Sequence, residues 1–272
     1  MAARRPRSVP VKSAQETSKD KRQRMITERL VAEGSCVPHD LADEFGVSLM
    51  TIHRDLDDLE RRGLVRKYHG GVTALPSSIF ESQLSYRMVS RVKEKQAVAR
   101  TALKYVEPGM SMVLDDSTTT FQMISGLAEL TPLHVATSFL PALRQLADLA
   151  ADHDLTVLGL GGMYDLPHDS FVGMQCIEQI EAMHADAVFM STSAVSATSA
   201  FHREERMVAL KRAMVAGATR KYLLVDKEKL GQVALHRIVP LDVFDLVITN
   251  AGANPEVLAA WSKAGVPYEC AE

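Results

Sequence analysis

The sequence predicts an α/β protein in two parts, an N-terminal winged helix-turn-helix head and a C-terminal, mainly parallel α/β domain. Residues 37–71 combine two short helical patterns with a basic hairpin pattern. After Met110, apolar strand candidates alternate with helical segments, which favours a parallel sheet. Hydrophobic residues are 46% of the 272 and aromatic residues only 6%, which favours an aliphatic core covered by helices.

Composition and pattern divide the chain into four segments. We predict a disordered basic arm at 1–18, a winged helix-turn-helix domain at 19–75 (helix-turn-helix about 37–56), a linker and connecting helix at 76–108, and an α/β domain at 109–272. The net charge is −3, yet residues 1–24 hold 8 Lys and Arg against 2 acids. A basic front and an acidic remainder suit a DNA-binding head on a body that does not bind DNA.

The three cysteines are scattered and include no C-x-x-C, so neither a disulfide framework nor a zinc site is predicted. No apolar run has transmembrane length, and the basic N-terminus lacks the apolar segment of a secretory signal. We therefore expect a cytoplasmic protein without cofactor or metal, associated with the nucleoid when bound to DNA.

The first helix of the head is predicted at 19–33 and ends at Gly34, with Arg22 and Arg24 as candidate DNA-backbone contacts or ordinary solvated charges. Gly46 provides a tight turn between a helix that Pro38 opens and a second helix. The second helix has an apolar stripe of helical spacing made by Ile52, Leu56 and Leu59.

Burial of that stripe leaves other faces of the second helix for DNA, as in a recognition helix. Arg54 can fork onto guanine edges or bind a phosphate. Residues 64–69 alternate and end at Gly70-Gly71, which indicates a basic β-hairpin wing. The predicted DNA contacts are Ser48, Met50, Thr51, His53, Arg54, Arg66, Lys67 and His69. The alternative is an amphipathic helix pair whose charges are merely solvated.

Residues 73–78 have the composition of a linker, and 83–106 are predicted as one long helix that Pro108-Gly109 ends. Strands are predicted at 110–114, 133–136, 155–160, 187–190, 221–225 and 246–249. Helices are predicted at 119–130, 140–151, 176–183, 204–218 and 255–263. A sheet of this kind binds ligands beyond the carboxyl ends of its strands.

Four polar segments follow strand candidates. Residues 115–120 offer hydroxyls and backbone N–H groups at a helix start, which suits a phosphate, although simple N-capping is an even alternative. The others are Thr137-Ser138, Gly161-Gly162, for which a plain turn is the alternative, and 226–229, for which a surface salt bridge is the alternative.

The head resembles the N-terminal signature of the DeoR family of bacterial transcriptional regulators, S-x-x-T-[IV]-R-R-D-L, then L-x-x-x-G, then R-x-x-H-G-G. The matching residues are Ser48, Thr51, Ile52, Arg54, Asp55, Leu56, Leu59, Gly63, Arg66, His69, Gly70 and Gly71. His53 stands where the family usually has the first Arg of its pair. A permanent cation is thereby absent from the reading face, which implies a different operator or affinity.

The likeness covers about 20–250, because the body resembles the family's sensor domain, whose fold is akin to that of ribose-5-phosphate isomerases. Residues that match the sensor motifs are Asp115, Thr118, Thr119, Thr120, Gly161, Gly162, Asp226, Lys229, Leu230 and Gly231, with Thr137-Ser138-Phe139 at the T-N-[SN] loop. Ser117, Ser191 and Ala194 replace family glycines, and Met207 replaces an acidic residue. The added side chains narrow the expected pocket.

The resemblance implies a repressor of a carbohydrate-use operon that a phosphorylated sugar or polyol relieves. The implied effector residues are Asp115, Ser117, Thr118, Thr119, Ser138, Gly161, Gly162, Asp226 and Lys229. Lys229 and Thr118-Thr119 would hold the phosphate, while Asp115 and Asp226 would hold sugar hydroxyls or the lysine. The implied partners are a double-stranded DNA operator, the effector and further copies of the chain in a dimer or tetramer; no membrane partner is implied.

Two other functions remain open at this point. The body could be an active sugar-phosphate isomerase that carries a DNA-binding head, because loop carboxylates and a lysine are capable of proton transfer. The lost glycines and the lack of a second clear acid/base pair argue against this enzyme. The chain could also be a regulator with a vestigial pocket, for which the residues at 117, 191 and 194 argue.

Overall fold

The computed structural model describes residues 17–74 and 84–272, and the chain divides into two compact units between residues 81 and 82. We call the described part of the first unit the head and that of the second unit the sensor. The predicted basic arm, apart from its last two residues, and most of the predicted linker lie outside the described residues. In the described part, no helix combines the length and the apolarity needed to cross a membrane.

The head consists of three helices and a small antiparallel sheet. Its elements are α1 (Ser18–Glu33), β1 (Ser35–Cys36), α2 (Pro38–Phe45), α3 (Leu49–Arg61), β2 (Val65–Tyr68) and β3 (Gly71–Ala74). Strand β3 pairs with both β2 and β1. The β2–β3 hairpin confirms the expected wing, whereas β1 is a third strand that two residues were too few to reveal.

The predicted helix boundaries in the head are confirmed. Gly34 and Gly46 both adopt positive φ after α1 and α2, and Gly46 is left-handed, a conformation that glycine reaches without a Cβ clash. The predicted apolar stripe of α3 is buried in the head core, together with residues of the other elements: Ile26, Leu30, Leu41, Ile52, Leu56, Leu59, Leu64 and Val72.

The sensor is built on a seven-stranded parallel sheet in the order β15-β14-β12-β9-β4-β5-β6. Its strands are β4 (Ser111–Leu114), β5 (Leu133–Thr137), β6 (Leu155–Gly159), β9 (Ala185–Met190), β12 (Ala218–Leu224), β14 (Leu246–Asn250) and β15 (Tyr268–Ala271). The parallel α/β architecture is therefore as predicted, with β15 an addition. Five short antiparallel strands of the sensor are not part of this seven-stranded sheet: β7 (Met163–Asp165), β8 (Ser170–Val172), β10 (Ala194–Val195), β11 (Ser199–His202) and β13 (His236–Pro240).

Two apolar layers, one on each face, cover the sheet. The helices are α4 (Leu84–Val89), α5 (Val92–Leu103), α6 (Leu140–Ala150), α7 (Met174–Glu181), α8 (Glu205–Ala216) and α9 (Pro255–Ala264). Residues Thr120–Leu130 form a 3₁₀ helix, and two shorter ones span Lys227–Lys229 and Leu241–Val243. The aliphatic side chains of both layers agree with the low aromatic content.

The prediction of one long helix over 83–106 is wrong. The structure has two helices, α4 and α5, separated at Ser90 and Arg91. Arg91 has a φ of 50°, in the left-handed region, and this conformation interrupts the right-handed helix. No glycine or proline marks the break, so the sequence pattern alone did not reveal it.

Candidate functional site

The outer face of α3 is the candidate DNA-reading face. Ser48 caps the helix, because its Oγ accepts from the backbone N–H of Thr51 at 3.2 Å. Met50 is 62% exposed, and His53 and Arg54 are also exposed. Arg54 forms no hydrogen bond or ion pair within the described residues, so its guanidinium is available to a base edge or a phosphate.

The predicted wing residues are not equivalent. Arg66 and His69 are exposed, whereas Lys67 is partly buried against α3. The Lys67 ammonium pairs with Asp57, and its backbone N–H donates to Glu60 Oε1 at 2.9 Å. The Lys67 pairing lowers the pKa of Asp57. Lys67 therefore fixes the wing to α3, and a DNA contact through it remains a prediction.

The prediction of Arg22 as a DNA-backbone contact is not supported, since its side chain is engaged inside the head. Arg22 Nε donates to Asp55 Oδ2 at 2.5 Å, and Gln23 Nε2 donates to Asp55 Oδ1 at 3.1 Å. Asp55 is buried on α3. This family-motif aspartate thus joins α1 to α3 and sets the orientation of the reading helix.

In the sensor, polar loops follow four adjacent strands of the sheet, β12, β9, β4 and β5. Asp226, Ser191, Asp115 and Ser138 lie in these loops, and all four residues are buried. Because parallel strands end at one edge, the loops come together there, as the sequence predicts. We call this group of loops the sheet-edge site.

Asp115 lies at the centre of the sheet-edge site. Its carboxylate accepts from Ser117 N (3.1 Å), Thr120 Oγ1 (2.8 Å), Ser191 N (2.8 Å) and Lys211 Nζ (2.5 Å). A carboxylate offers about four acceptor positions. Asp115 therefore organises the loops and has little capacity left for the predicted contact with a sugar hydroxyl.

Lys211, on α8, is the main residue that the sequence reasoning missed. It is 2% exposed, and its Nζ pairs with Asp115 and, at 2.9 Å, with Asp116. The two carboxylates outweigh the opposing effect of burial and raise the pKa of Lys211. The missed signal was the lysine of the K-R-A-M segment, which lies on one helical face with Met207 and Met214.

Two serines at family glycine positions strengthen the loops. Ser117 Oγ accepts from Thr120 N at 3.0 Å and contacts Thr120 Oγ1 at 2.8 Å, at the first residue of the 3₁₀ helix. Ser191 Oγ accepts from Lys229 Nζ at 3.3 Å. Their side chains thus contact the protein's own loops, and one of them orients the lysine predicted to hold a phosphate.

The predicted phosphate-binding residues Thr118, Thr119 and Lys229 lie after the ends of β4 and β12. Thr118 and Thr119 are buried, and the Thr119 hydroxyl finds no hydrogen-bond partner in residues 17–74 and 84–272. Lys229 Nζ lies 3.7 Å from Asp226 Oδ2. Burial lowers the pKa of Lys229, and Asp226 counteracts this. A buried hydroxyl without a partner among the described residues provides a donor for a bound anion.

Helices α4 and α5 supply three further cations that the sequence reasoning did not assign. Arg91 Nη1 lies 3.1 Å from Asp226 Oδ1, and the Lys95 ammonium donates to the carbonyl of Arg87. Burial and the neighbouring Lys229 lower the pKa of Lys95 to about 7. Four residues separate 87 from 91 and 91 from 95, but the helix break at Arg91 means that this spacing did not predict their association.

Beside Lys211 lies a group of histidines and acids. His168 Nδ1 contacts Asp165 Oδ2 at 2.6 Å, and its Nε2 lies 3.5 Å from Glu204 Oε1. His202 Nδ1 accepts from Glu204 N at 3.1 Å. Burial and the charge of Lys211 lower the pKa of His202 to about 3, so this histidine is neutral and its Nε2 carries the proton.

The Gly161-Gly162 pair has a packing explanation. A Cβ on Gly162 would lie 2.6 Å from the backbone oxygen of Val172, so this position requires glycine. Gln179 bonds both backbone groups of Gly161, at 3.1 Å and 3.0 Å. Assignment of either glycine to an effector remains a prediction.

Comparison with known proteins follows the same division of the chain. Residues 22–78 match the model of the DeoR-like helix-turn-helix domain, and residues 90–251 match the model of the DeoR C terminal sensor domain. The HTH-type transcriptional regulator YgbI of Escherichia coli K12 is 30% identical over 85% of this chain and 89% of its own length.

Two further relatives are named as repressors. The lactose phosphotransferase system repressor of Lactococcus lactis is 27% identical over 90% of this chain and 96% of its own length. The glycerol-3-phosphate regulon repressor of Escherichia coli K12 is 26% identical over 83% and 88%. Among solved structures, ribose 5 phosphate isomerase A from Neisseria gonorrhoeae has a TM-score of 0.37 and 11% identity, over 52% of this chain and 54% of that one.

Proposed function

The chain belongs to the DeoR family of transcriptional regulators, and from this premise we propose that it represses a carbohydrate-use operon until a phosphorylated sugar or polyol binds its sensor. One observation carries the proposal: an exposed reading face on α3 and a buried, cation-rich site occur in the same chain. The names of the two repressors support a ligand related to sugar or polyol phosphates.

In the proposed mechanism, Arg54 and its neighbours read the operator in the major groove, and Arg66 and His69 contact the phosphate backbone. Two heads meet two half-sites, which requires at least a dimer. The effector relieves repression because it binds one arrangement of the paired heads more tightly than the other.

We also propose that the sensor binds its ligand without converting it chemically. Isomerisation of a sugar phosphate needs a base free to move a proton. Asp115 is occupied by four donors, and Asp116 pairs with Lys211. Asp226 accepts no hydrogen bond among the described residues but forms ion pairs with Arg91 and Lys229. Turnover of a pentose phosphate by the purified protein would contradict this part of the proposal.

The test of the proposed DNA binding begins with the selection of operator sequences from a random DNA pool by the purified full chain. In gel shifts with the selected DNA, Arg54→Ala should lose about 1–3 kcal/mol of binding free energy and discriminate less between sites. Arg61→Ala is the matched control, since Arg61 is exposed at the far end of α3 and pairs with Asp58. Equal binding by both variants would contradict the assignment of α3.

A further inference from the structure

Arg87 on α4 has an unusual environment in the sensor. Its Nε and Nη2 atoms are buried and have no hydrogen-bond partner in the described ranges 17–74 and 84–272. Burial lowers the pKa of Arg87, while Asp116, Asp115 and Glu204 oppose this shift. Arginine nevertheless keeps its proton in proteins. The sensor therefore holds a partly buried arginine with two buried donors that have no partner among the described residues.

Those two donors form one edge of the guanidinium. Nε–H and an adjacent Nη–H point in the same direction, which is the geometry that meets two oxygens of one anionic group. Buried charged donors without partners destabilise the folded state. A bound anion on this edge removes that destabilisation, whereas a neutral ligand with one oxygen does not.

The three acids whose charges act on the pKa of Arg87 are paired with other cations. Asp115 and Asp116 share Lys211. Glu204 lies 3.3 Å from Arg206 Nε. No carboxylate of the described residues accepts a hydrogen bond from the Arg87 edge. The partner of that edge therefore comes from outside the described protein residues.

The charge of the residues around Arg87 indicates which kind of anion binds there. Arg87, Arg91, Lys95, Lys211 and Lys229 face three carboxylates, those of residues 115, 116 and 226, and these groups interact electrostatically with one another. The excess is two positive charges when all five cations are protonated, and about one and a half near pH 7, where Lys95 is about half protonated. A phosphate group carries between about −1.5 and −2 near neutral pH, so it matches this excess better than a carboxylate does.

We propose that a phosphate group, free or as an ester, binds the Nε/Nη2 edge of Arg87 and thereby attaches α4 to the sheet-edge site. The proposal rests on the proposed effector function and adds a binding residue and a mechanical consequence to it. Along the chain, α4 is the first described element after the head. The ligand thus holds the segment of the sensor that leads to the DNA-binding unit.

The test measures binding of inorganic phosphate to the full chain by calorimetry. Arg87→Lys keeps the positive charge but lacks the two-donor edge of the guanidinium. The affinity of this variant for inorganic phosphate should therefore fall at least tenfold. Arg100→Lys is the matched control, because Arg100 is exposed on α5, and its affinity should be unchanged. Hydrogen exchange of residues 84–91 should slow with phosphate in the wild type and not in Arg87→Lys.

A second variant separates ligand binding from a structural role. Arg87→Met removes a buried cation without partners, so in phosphate-free buffer the sensor should be at least as stable as the wild type. Phosphate should then stabilise the wild type and not Arg87→Met. Destabilisation of the ligand-free variant would show a structural role for Arg87 and overturn the proposal.

The remaining outcomes distinguish this inference from the proposed function. Phosphate binding that is equal in wild type and Arg87→Lys overturns the inference alone. Absence of binding by the wild type to inorganic phosphate and to a panel of sugar and polyol phosphates overturns both the inference and the effector half of the proposed function. Tighter binding of a sugar carboxylate than of any phosphate also overturns the inference. Tighter binding of an ester than of free phosphate supports it and identifies the ester as the ligand.

Discussion

The head and the sensor use charge in opposite ways. In the head, the side chains predicted to meet DNA are mostly exposed, and Arg54 is unpaired within the described residues. In the sensor, buried charged groups pair with one another, as Lys211 does with Asp115 and Asp116, while Arg87 keeps two donors without a partner among the described residues. The difference shows two requirements: a reading face must be free before its large partner arrives, whereas a small-ligand site must be preorganised and dry.

The largest effect that tests this comparison is expected at Lys211. Lys211→Met leaves two buried carboxylates without their cation, which should destabilise the sensor by about 3–5 kcal/mol. Urea unfolding followed by the fluorescence of Trp261 reports on this unit, because Trp261 is the single tryptophan of the chain and is buried in the sensor. Lys263→Met, at an exposed position of α9, is the control. A loss of less than 1 kcal/mol would show that the buried pairs are not preorganised as described.

A smaller effect is expected at Lys95. Its pKa is lowered to about 7 in the folded protein from an unfolded value of 10.5, mainly by burial and by the charges of Lys229, Arg91 and Arg87, against the opposing charge of Asp226. The unfolded state therefore binds more protons between these values, and the free energy of unfolding should rise with pH across that window.

The slope assigned to Lys95 is at most about 1.4 kcal/mol per pH unit. In urea titrations between pH 7 and 10, Lys95→Met should remove this rise, whereas Lys93→Met, at an exposed position of α5, should keep it. Identical pH profiles for wild type and Lys95→Met would mean that the Lys95 ammonium is well solvated.

In the head, a local effect is expected at Ser48. Ser48→Ala removes the N-cap of α3 and should cost about 1 kcal/mol in the free energy of opening of this helix. Hydrogen exchange of the first-turn amides measures it. Ser35→Ala, at an exposed position of β1, should leave that exchange rate unchanged. Equal exchange in the two variants would argue against the cap.

The smallest effect is expected at His53. His53→Arg adds a permanent cation to the exposed face of α3. DNA binding should strengthen modestly, and the slope of log affinity against log salt concentration should steepen by about 0.9 for one added phosphate contact. An unchanged slope would place residue 53 away from the phosphate backbone.

The sequence predicted the head more completely than the sensor site, for a physical reason. The features of the head are local: Ser48 and Thr51 are three residues apart, and Gly46 acts on its own turn. The charge partners in the sensor are remote in sequence, since Lys211 lies 96 residues from Asp115. The strand–helix rhythm predicted which loops meet at the sheet edge, but it contained no signal for the side chain that enters from a covering helix.

The α4–α5 break illustrates the same limit. The apolar spacing of 83–106 fits one helix, whereas the break occurs at a left-handed Arg91 without a glycine or proline. Arg91 lies 3.1 Å from the buried carboxylate of Asp226. This tertiary contact, 135 residues away in sequence, accompanies a local conformation that propensity disfavours. The three cations at residues 87, 91 and 95 were missed for the same reason.

The most direct measurement is release of selected operator DNA from the full chain, titrated with sugar and polyol phosphates and with the matching free sugars and polyols. The account predicts that at least one phosphorylated compound releases the DNA and that its unphosphorylated form does not. Release by the free sugar at the same concentration, or retention of the DNA with every compound, would contradict the assignment of the sheet-edge site to a phosphate-bearing effector.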